Sequence, residues 1–150
     1  MINMKVYKDI EDVKLPTKAN SSDAGFDLYS PIDFKFTKDG PDYVTINTHI
    51  HFDIPDGYVG FLKSKSGLNV YKHIASDGVI DAGYTGSVVV KLTRNSKLID
   101  KEVEFKKGDK ITQIVFLPVP KITLEEVDSL DKFDSKDSSR GDNGFGSSGR

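Results

Sequence analysis

Short segments that alternate polar and apolar residues recur along the chain, and this period of two is the feature that most limits its fold. The segments are rich in β-branched and aromatic residues, which favour strands. Glycine, aspartate and asparagine between them predict turns at residues 39–40, 55–57, 77–78 and 107–109. The strands themselves are predicted at residues 43–47, 50–54, 58–62, 87–92, 103–105 and 111–119. Many short strands of this kind predict an all-β domain, either an antiparallel barrel or a jelly roll.

Only one segment has the pattern of a helix. Residues 67–74 place Leu68 and Tyr71 on one helical face, and Ser64 or Ser66 is available as the N-cap. The 150 residues suffice for a single domain. After residue 128 aspartate, serine, lysine and glycine dominate, a composition typical of disorder. We therefore predict a β-barrel domain at residues 1–127 and a flexible C-terminal arm at residues 128–150.

The composition excludes several classes of function. The chain has no cysteine, which removes thiol nucleophiles, disulfides and cysteine-ligated metal centres. Its net charge of −2 gives no basic excess for binding nucleic acid or an anionic membrane. The longest apolar run, residues 114–120, is far shorter than the roughly 20 residues of a membrane helix, and no signal peptide is evident. We expect a cytoplasmic protein, or one in the host-cell interior if it is viral.

Two segments combine charge with backbone that could meet an anion. Residues 24–30 place Asp27 between apolar neighbours, where the simplest explanation is a turn acid at a strand edge. Residues 65–68, Lys-Ser-Gly-Leu, open the predicted helix with a cation, a hydroxyl and free N–H groups. A helix start of this kind can bind an anion, although a serine N-cap explains it equally well.

Two further segments join turns to polar side chains. Residues 78–86 predict a hairpin whose tip carries Asp81 and Tyr84, and ordinary turn chemistry could account for it. Residues 107–113 predict a tight turn into a strand that ends at Gln113 amid apolar neighbours. A glutamine on an edge strand is the alternative explanation.

The last segment, residues 140–149, carries more than a solvated tail requires. Arg140 precedes Phe145, which stands between two glycines and before two serines. Glycine-rich backbone and hydroxyls can wrap a phosphate, and an aromatic ring can stack on a base. Solvated Gly/Ser termini are also common, so the tail alone leaves both explanations open.

Taken in order, these five segments resemble the five motifs of the homotrimeric dUTPase family. The resemblance runs from about residue 15 to the end of the chain, with the motifs at 24–30, 65–68, 78–86, 107–113 and 140–149. It implies a distorted β-barrel subunit with one short helix, assembled as a trimer. It also implies three active sites at the interfaces, each closed by the C-terminal arm of a neighbouring subunit.

The resemblance implies hydrolysis of dUTP to dUMP and pyrophosphate, which limits uracil in DNA and supplies dUMP for thymidylate synthesis. The cofactor it implies is Mg²⁺, bound to the triphosphate. Asp81 matches the general base that activates water for attack on the α-phosphorus, and a carboxylate ionised at neutral pH suits that role. Asp27 matches the acid that holds Mg²⁺ through water, which is reasonable because magnesium keeps most of its waters.

Binding roles follow from the same resemblance. The uracil slot spans residues 78–90, where backbone N–H and C=O groups pair with the base edge. Tyr84 matches the ring that packs on the deoxyribose and excludes a 2′-hydroxyl, and Phe145 matches the ring that stacks over uracil. The substrate-binding residues implied are Lys65, Ser66, Gly67, Gly78, Val79, Ile80, Tyr84, Lys91, Gln113, Arg140, Phe145, Gly146, Ser147 and Ser148.

The sequence departs from the family pattern in two places. Lys65 stands where arginine is usual, which keeps the charge but loses the bidentate fork. Asn143 replaces a common glycine, and asparagine tolerates a left-handed backbone. Two other functions stay open: deamination of dCTP on the same fold, whose catalytic pattern we do not find, and a non-enzymatic nucleotide-binding or signalling role.

Two of the three histidines form a closely spaced pair outside the five motifs. His49 and His51 are two residues apart, so a strand would place both rings on one face, as in a metal site. No third ligand is evident nearby in the sequence. We therefore predict a solvent-facing pair at this position.

Overall fold

The computed structural model describes residues 2–95 and 101–134 of the chain. In that part the chain is mostly strand, with one short α-helix and one 3-10 helix, Leu130–Lys132. The elements are β1 Lys5–Lys8, β2 Gly25–Tyr29, β3 Phe34–Phe36, β4 Tyr43–Asn47, β5 Ile50–Asp53, β6 Tyr58–Lys63, α1 Ser66–Lys72, β7 Ile74–Ala75, β8 Asp77–Asp81, β9 Val89–Arg94, β10 Val103–Phe105 and β11 Lys110–Pro118.

The strands pair into four antiparallel sheets among the described residues. The largest has the order β2-β11-β6-β8, so strands far apart in sequence lie side by side. A three-stranded sheet has the order β4-β9-β7, and β1 with β5 and β3 with β10 form two-stranded sheets. The all-β prediction with one short helix is therefore confirmed.

One apolar core lies between the sheets. It includes Leu28 of β2, Leu62 of β6 and Ile114 of β11 from the largest sheet, and Ile46 and Leu92 from the three-stranded sheet. In β9 alternate residues are buried, as a two-residue period requires. Burying each such side chain contributes about 1.5–3 kcal/mol to folding. This core fixes the opposite face of the largest sheet, where the candidate site lies.

The predicted strands agree closely with the structure, while one turn prediction is wrong. The strands at 43–47 and 103–105 match β4 and β10, and β9 is displaced by two residues from its prediction. Asp77-Gly78, predicted as a turn, begins β8 instead. Gly78 packs on Leu62 of β6, where a Cβ would lie 3.2 Å from a Leu62 methyl, so the glycine serves close strand packing.

Helix α1 begins one residue before its predicted start and ends two residues early, at Lys72, because His73 turns left-handed and Ile74 begins β7. Its N-cap also differs from the prediction. Lys65 occupies the N-cap position with extended backbone and makes no side-chain cap. The Ser64 hydroxyl bonds instead to Ser76, as donor to its carbonyl at 3.0 Å and acceptor from its N–H at 2.9 Å. Leu68 packs against the core, whereas Tyr71 is exposed.

The chain divides into two compact units, Met1–Pro120 and Lys121–Arg150. The described part of the second unit holds the 3-10 helix, whose N-cap Ser129 accepts a hydrogen bond from the Asp131 N–H. The predicted division at residue 127 stays a prediction. Within the described residues, no helix has both the length and the apolar character needed to cross a membrane.

Candidate active site

An ion cluster forms at the edge of the largest sheet, around Asp27 of β2. Asp27 is 7% exposed, and each of its carboxylate oxygens faces a different lysine. One oxygen accepts from Lys65, the N-cap of α1, and the other lies 2.7 Å from the Lys110 Nζ at the start of β11. Three segments distant in sequence therefore meet at one carboxylate, which argues against the simpler explanation of Asp27 as a turn acid.

The protonation of this cluster follows from its contacts. Burial raises the pKa of Asp27, but hydrogen bonds from Lys110 and Lys65 outweigh it and hold the pKa below 3.8. The hydrogen bond to Asp27 likewise raises the pKa of Lys110 above 10.5. At neutral pH two ammonium groups and one carboxylate leave one net positive charge here.

Lys110 was missed by the sequence analysis, and the register of β11 explains why. A simple period of two places residues 110 and 113 on opposite faces of a strand. The pairing of β11 with β2 shifts between Lys110 and Thr112, so that Lys110 pairs with Tyr29 and Gln113 pairs with Asp27. This bulge brings Lys110 to the face of Asp27. Only knowledge of the pairing between the two motifs could have revealed it.

Gln113 lies at the centre of the sheet. Strand β11 runs between β2 and β6, so the edge-strand alternative for this glutamine is wrong. Its side-chain amide donates to the Ser64 carbonyl at 3.2 Å, next to Lys65. A Cβ on Gly25 would lie 2.6 Å from the Gln113 Oε1, so glycine is needed at that position to leave the side chain in place.

A buried hydroxyl network supports the cluster from beneath. Thr112 donates to the Lys63 carbonyl at 3.1 Å, and its oxygen lies 2.7 Å from the Ser76 hydroxyl. Because Thr112 gives its only proton to Lys63, Ser76 is the donor between them. Ser76 also bonds to Ser64 through its backbone. These bonds join β11, the residue before Lys65, and the segment that leads into β8.

Replacing Thr112 with valine should lower the free energy of unfolding by about 1–3 kcal/mol, because Ser76 and the Lys63 carbonyl lose a buried partner. Urea denaturation measures the change. Thr45→Val on the exposed side of β4 is the matched control and should change stability by less than about 0.5 kcal/mol. Equal effects of the two substitutions would contradict a supporting role for the network.

Asp81 ends β8 and begins a tight turn. The Tyr84 N–H donates to the Asp81 carbonyl at 3.2 Å, and Gly83 has φ of 82°, which favours glycine. The predicted hairpin needs correction, since β8 belongs to the four-stranded sheet and β9 to the three-stranded one. The turn therefore joins two sheets, and the Asp81 side chain is exposed.

Tyr84 folds over its own loop. Its hydroxyl donates to the Ser87 carbonyl at 3.1 Å. A Cβ on Gly86 would lie 2.4 Å from the Tyr84 hydroxyl oxygen, so only glycine allows the ring to take this position. The ring is nonetheless 46% exposed. A fixed and half-exposed aromatic ring beside Asp81 is suited to packing against a flat or puckered ligand.

Strand β8 forms an edge of the largest sheet among the described residues. It pairs only with β6 there, so alternate residues direct backbone N–H and C=O groups away from the sheet. Val79 is 58% exposed on this strand, between half-buried Gly78 and Ile80. The strand predicted to recognise a base by its backbone thus has hydrogen-bonding groups to offer.

The structure brings together only part of the predicted site. Asp27, Lys65 and Gln113 meet. Asp81 lies on β8, three strands away from Asp27, and it is four residues along β8 from the residue that is level with Asp27 in the sheet. With strand spacings near 4.8 Å and rises near 3.3 Å, the Cα atoms of Asp27 and Asp81 are about 20 Å apart along the sheet.

The remaining predicted residues are divided between the described and undescribed parts of the chain. Ser66 and Gly67 are exposed at the start of α1, and a Cβ built on Gly67 would meet no described atom within 4 Å outside its own stretch of the helix. Lys91 lies on β9 in the three-stranded sheet, and its ammonium is 4.6 Å from the centre of the Tyr43 ring. Arg140, Phe145, Gly146, Ser147 and Ser148 lie outside the described residues.

Comparisons with known proteins agree with the motifs. A deoxyuridine 5'-triphosphate nucleotidohydrolase of Wolbachia pipientis is 35% identical over 99% of this chain and 95% of its own length. The protein of the same name from Candida albicans is 37% identical over 99% and 89%. Among solved structures, the Staphylococcus bacteriophage 80alpha dUTPase with dUPNHPP has a TM-score of 0.82 and 26% identity, over the whole of both chains.

The family model that matches is dUTPase, over residues 11–149. This range contains all five motifs, from residue 24 to residue 149. With full-length relatives above one-third identity, the match shows that the chain belongs to the dUTPase family.

Proposed function

We propose that this protein hydrolyses dUTP to dUMP and pyrophosphate in active sites assembled between the subunits of a homotrimer. The shared site is supported by the strand order and register, which put the Cα atoms of Asp27 and Asp81 about 20 Å apart within one sheet. Both carboxylates must act on one triphosphate, which is far shorter than that distance. Asp81 of one subunit therefore works with Asp27 of another.

The phosphate end of the site is the cluster of Lys65, Lys110 and Asp27. Its net positive charge attracts a polyanionic triphosphate, and Gln113 adds an amide donor beside it. The space where a side chain of residue 67 would lie is open beyond its own helix in the described chain, which leaves room for the phosphates or a neighbouring subunit. Lys65 binds phosphate as a point charge, without the bidentate grip of the arginine usual in the family.

The donor chemistry of Asp27 fits Mg²⁺. Its lowered pKa keeps it ionised, and a hard carboxylate oxygen is the ligand type that magnesium accepts directly or through water. Both oxygens already face lysines, so the net positive cluster favours metal that arrives with the nucleotide over free metal. Asp27 would hold the ion through water, and the bound ion would neutralise charge on the phosphate oxygens.

The reacting end is Asp81. An exposed carboxylate at the end of a rigid strand can orient a water molecule and accept its proton as the water attacks the α-phosphorus. The proton moves from water to the Asp81 carboxylate, the new P–O bond forms, and pyrophosphate leaves with the electrons of the broken bond. Catalysis then rests mainly on positioning and on neutralising the charge that develops.

Base and sugar selection lie on the same strand and loop. The free edge of β8 offers alternating donors and acceptors to the edge of uracil, while a 5-methyl group or the amino group of cytosine disagrees in shape or hydrogen bonding. Tyr84, fixed on Gly86, packs against the deoxyribose and leaves no room for a 2′-hydroxyl. These contacts refuse dTTP, dCTP and UTP.

One experiment tests the activity and its alternatives together. The protein is mixed with dUTP, dCTP, dTTP or UTP in the presence of Mg²⁺, and pyrophosphate and ammonia are measured separately. Pyrophosphate from dUTP alone is the expected result. Ammonia from dCTP would instead indicate a deaminase, and binding of dUTP without either product would indicate a non-enzymatic role.

We propose that the C-terminal arm of a third subunit, with Arg140, Phe145, Gly146, Ser147 and Ser148, closes the site that the other two subunits build. Deleting residues 139–150 should leave a folded trimer whose kcat/KM for dUTP is lower by about tenfold or more, because phosphate and base lose their cover. Sedimentation checks the trimer, and steady-state kinetics measures the loss. An unfolded or dissociated product would mean that the arm is structural.

A further inference from the structure

A cluster of three titratable side chains lies outside the phosphate site. Asp9 follows β1, His51 lies on β5, and His49 lies between β4 and β5 with φ of 58°. The Asp9 carboxylate is 2.8 Å from Nδ1 of His49 and 3.1 Å from Nε2 of His51. Both side chains are partly exposed, in agreement with the predicted solvent-facing pair, and both rings also bond to Asp9.

The two bonds of His51 determine its protonation state. Its Nδ1 lies 2.8 Å from the Thr85 carbonyl oxygen, while its Nε2 faces Asp9. A carbonyl only accepts, and so does an ionised carboxylate, whose pKa is lowered here chiefly by the hydrogen bond from His51. Both ring nitrogens must therefore carry protons. Only the imidazolium form makes both bonds at once.

Thr85 is the residue next to the ring assigned to the sugar. The loop that contains it is held at one end by the bond between Tyr84 N–H and the Asp81 carbonyl. At the other end the Val88 N–H donates to the Ile50 carbonyl at 2.8 Å. The bond from His51 ties the middle of this loop to β5, between Tyr84 and Gly86.

We propose that His51 is a positioning residue for nucleotide binding: its protonated ring ties the Thr85 carbonyl to Asp9 and thereby fixes the Tyr84 loop. The proposal deepens the proposed function and rests on it, because it takes Tyr84 as the sugar contact. His51 touches neither substrate nor reacting atoms. Losing this contact is therefore expected to raise KM for dUTP and to leave kcat unchanged.

The surroundings of His51 set the direction of its pH dependence. Strand β1 contributes the Tyr7 ring, 5.4 Å between centroids, and Lys5 and Asp53 pair further along the same two strands. The bond to Thr85 and then the bond to Asp9 raise the pKa of His51 above 6.5, against a smaller opposite effect of burial. Both hydrogen bonds of the His51 ring are therefore present together below pH 6.5, and this arrangement is lost as the pH rises through the raised pKa of His51.

The expected result for the unmodified protein is a KM for dUTP that rises roughly three- to tenfold as His51 loses its proton, the worth of about one hydrogen bond. Asp9→Asn is the decisive variant. Its amide can donate to a neutral Nε2 while Nδ1 still donates to Thr85, so both bonds survive deprotonation. The pH dependence of KM should disappear in this variant while KM stays low.

His49→Asn is the matched control. It removes the other partner of Asp9, its backbone tolerates the left-handed conformation, and it leaves the Thr85 bond untouched. The pH dependence of KM should remain in this variant. If KM of Asp9→Asn follows pH as in the unmodified protein, the inference is overturned.

A second readout needs no substrate. Nitrogen-15 NMR of the His51 ring should show both nitrogens protonated at pH 6.5 in the unmodified protein, and a single N–H in Asp9→Asn. A neutral ring in the unmodified protein at that pH overturns the inference even if the enzyme is fully active. An inactive protein with a doubly protonated His51 contradicts the proposed function, so the two failures are distinguishable.

Discussion

Asp81→Asn is expected to lower kcat for dUTP hydrolysis by about 10²–10⁴-fold, the usual worth of a general base. The amide has nearly the shape of the carboxylate but cannot accept the proton of the attacking water. Asp81 is exposed at the end of β8, so the substitution leaves no buried group without a partner and the fold should persist. Steady-state kinetics gives kcat, and calorimetry with a non-hydrolysable dUTP analogue should show retained binding.

Asp77→Asn is the matched control, because it makes the same change of charge four residues earlier on the same exposed side of β8. Asp77 pairs with Lys63 at 2.6 Å, a surface pair worth no more than about 1 kcal/mol. Its kcat should stay within about twofold of the unmodified protein. Near-normal turnover in Asp81→Asn would remove Asp81 as the base, and equal losses in both variants would point to general electrostatics.

The sequence predicted what depends on local periodicity and on motif order. Alternation in β4 and β10 was sufficient to place those strands, and the motifs named Asp27, Lys65 and Gln113, which do meet in the structure. Each of these residues carries a local signal: an acid among apolar residues, a cation at a helix start, and an amide in an apolar strand.

Features that depend on strand pairing were not accessible in the same way. Lys110 reaches Asp27 only because of the bulge in β11, and Gln113 is central only because β11 inserts between β2 and β6. Asp77-Gly78 has the composition of a turn, yet pairing with β6 makes it a strand. Ser64 is of a residue type that often caps helices, yet its hydroxyl bonds to Ser76 instead. In each case a non-local partner outweighs local preference.

The spatial relation between Asp27 and Asp81 is the most consequential of these non-local facts. Motif order names both carboxylates without placing them. The order of strands places one residue at each edge of the same sheet, with their Cα atoms about 20 Å apart. A site that requires both must therefore draw on two copies of the chain, which is a testable statement about assembly.

Mixing two inactive variants should restore activity. Asp27→Asn removes the acid proposed to hold the metal and Asp81→Asn removes the proposed base, so each variant alone should be inactive. When the two chains are refolded together in equal amounts, a site that draws these residues from different subunits has an intact Asp27 in half of cases and an intact Asp81 in half. About a quarter of the sites should then be fully functional in random trimers.

An assembly in which each site uses a single chain predicts a different activity for the mixture. If each site took both carboxylates from one chain, every site in the mixture would carry one lesion and no activity would return. Because Asp27 is buried between two lysines, Lys65→Ala serves as a second variant of the phosphate side should Asp27→Asn fold poorly. Pyrophosphate release from dUTP is measured for the mixture and for each variant refolded separately. About one quarter of normal activity in the mixture would show that two copies of the chain build each site, and no activity would show that one copy suffices.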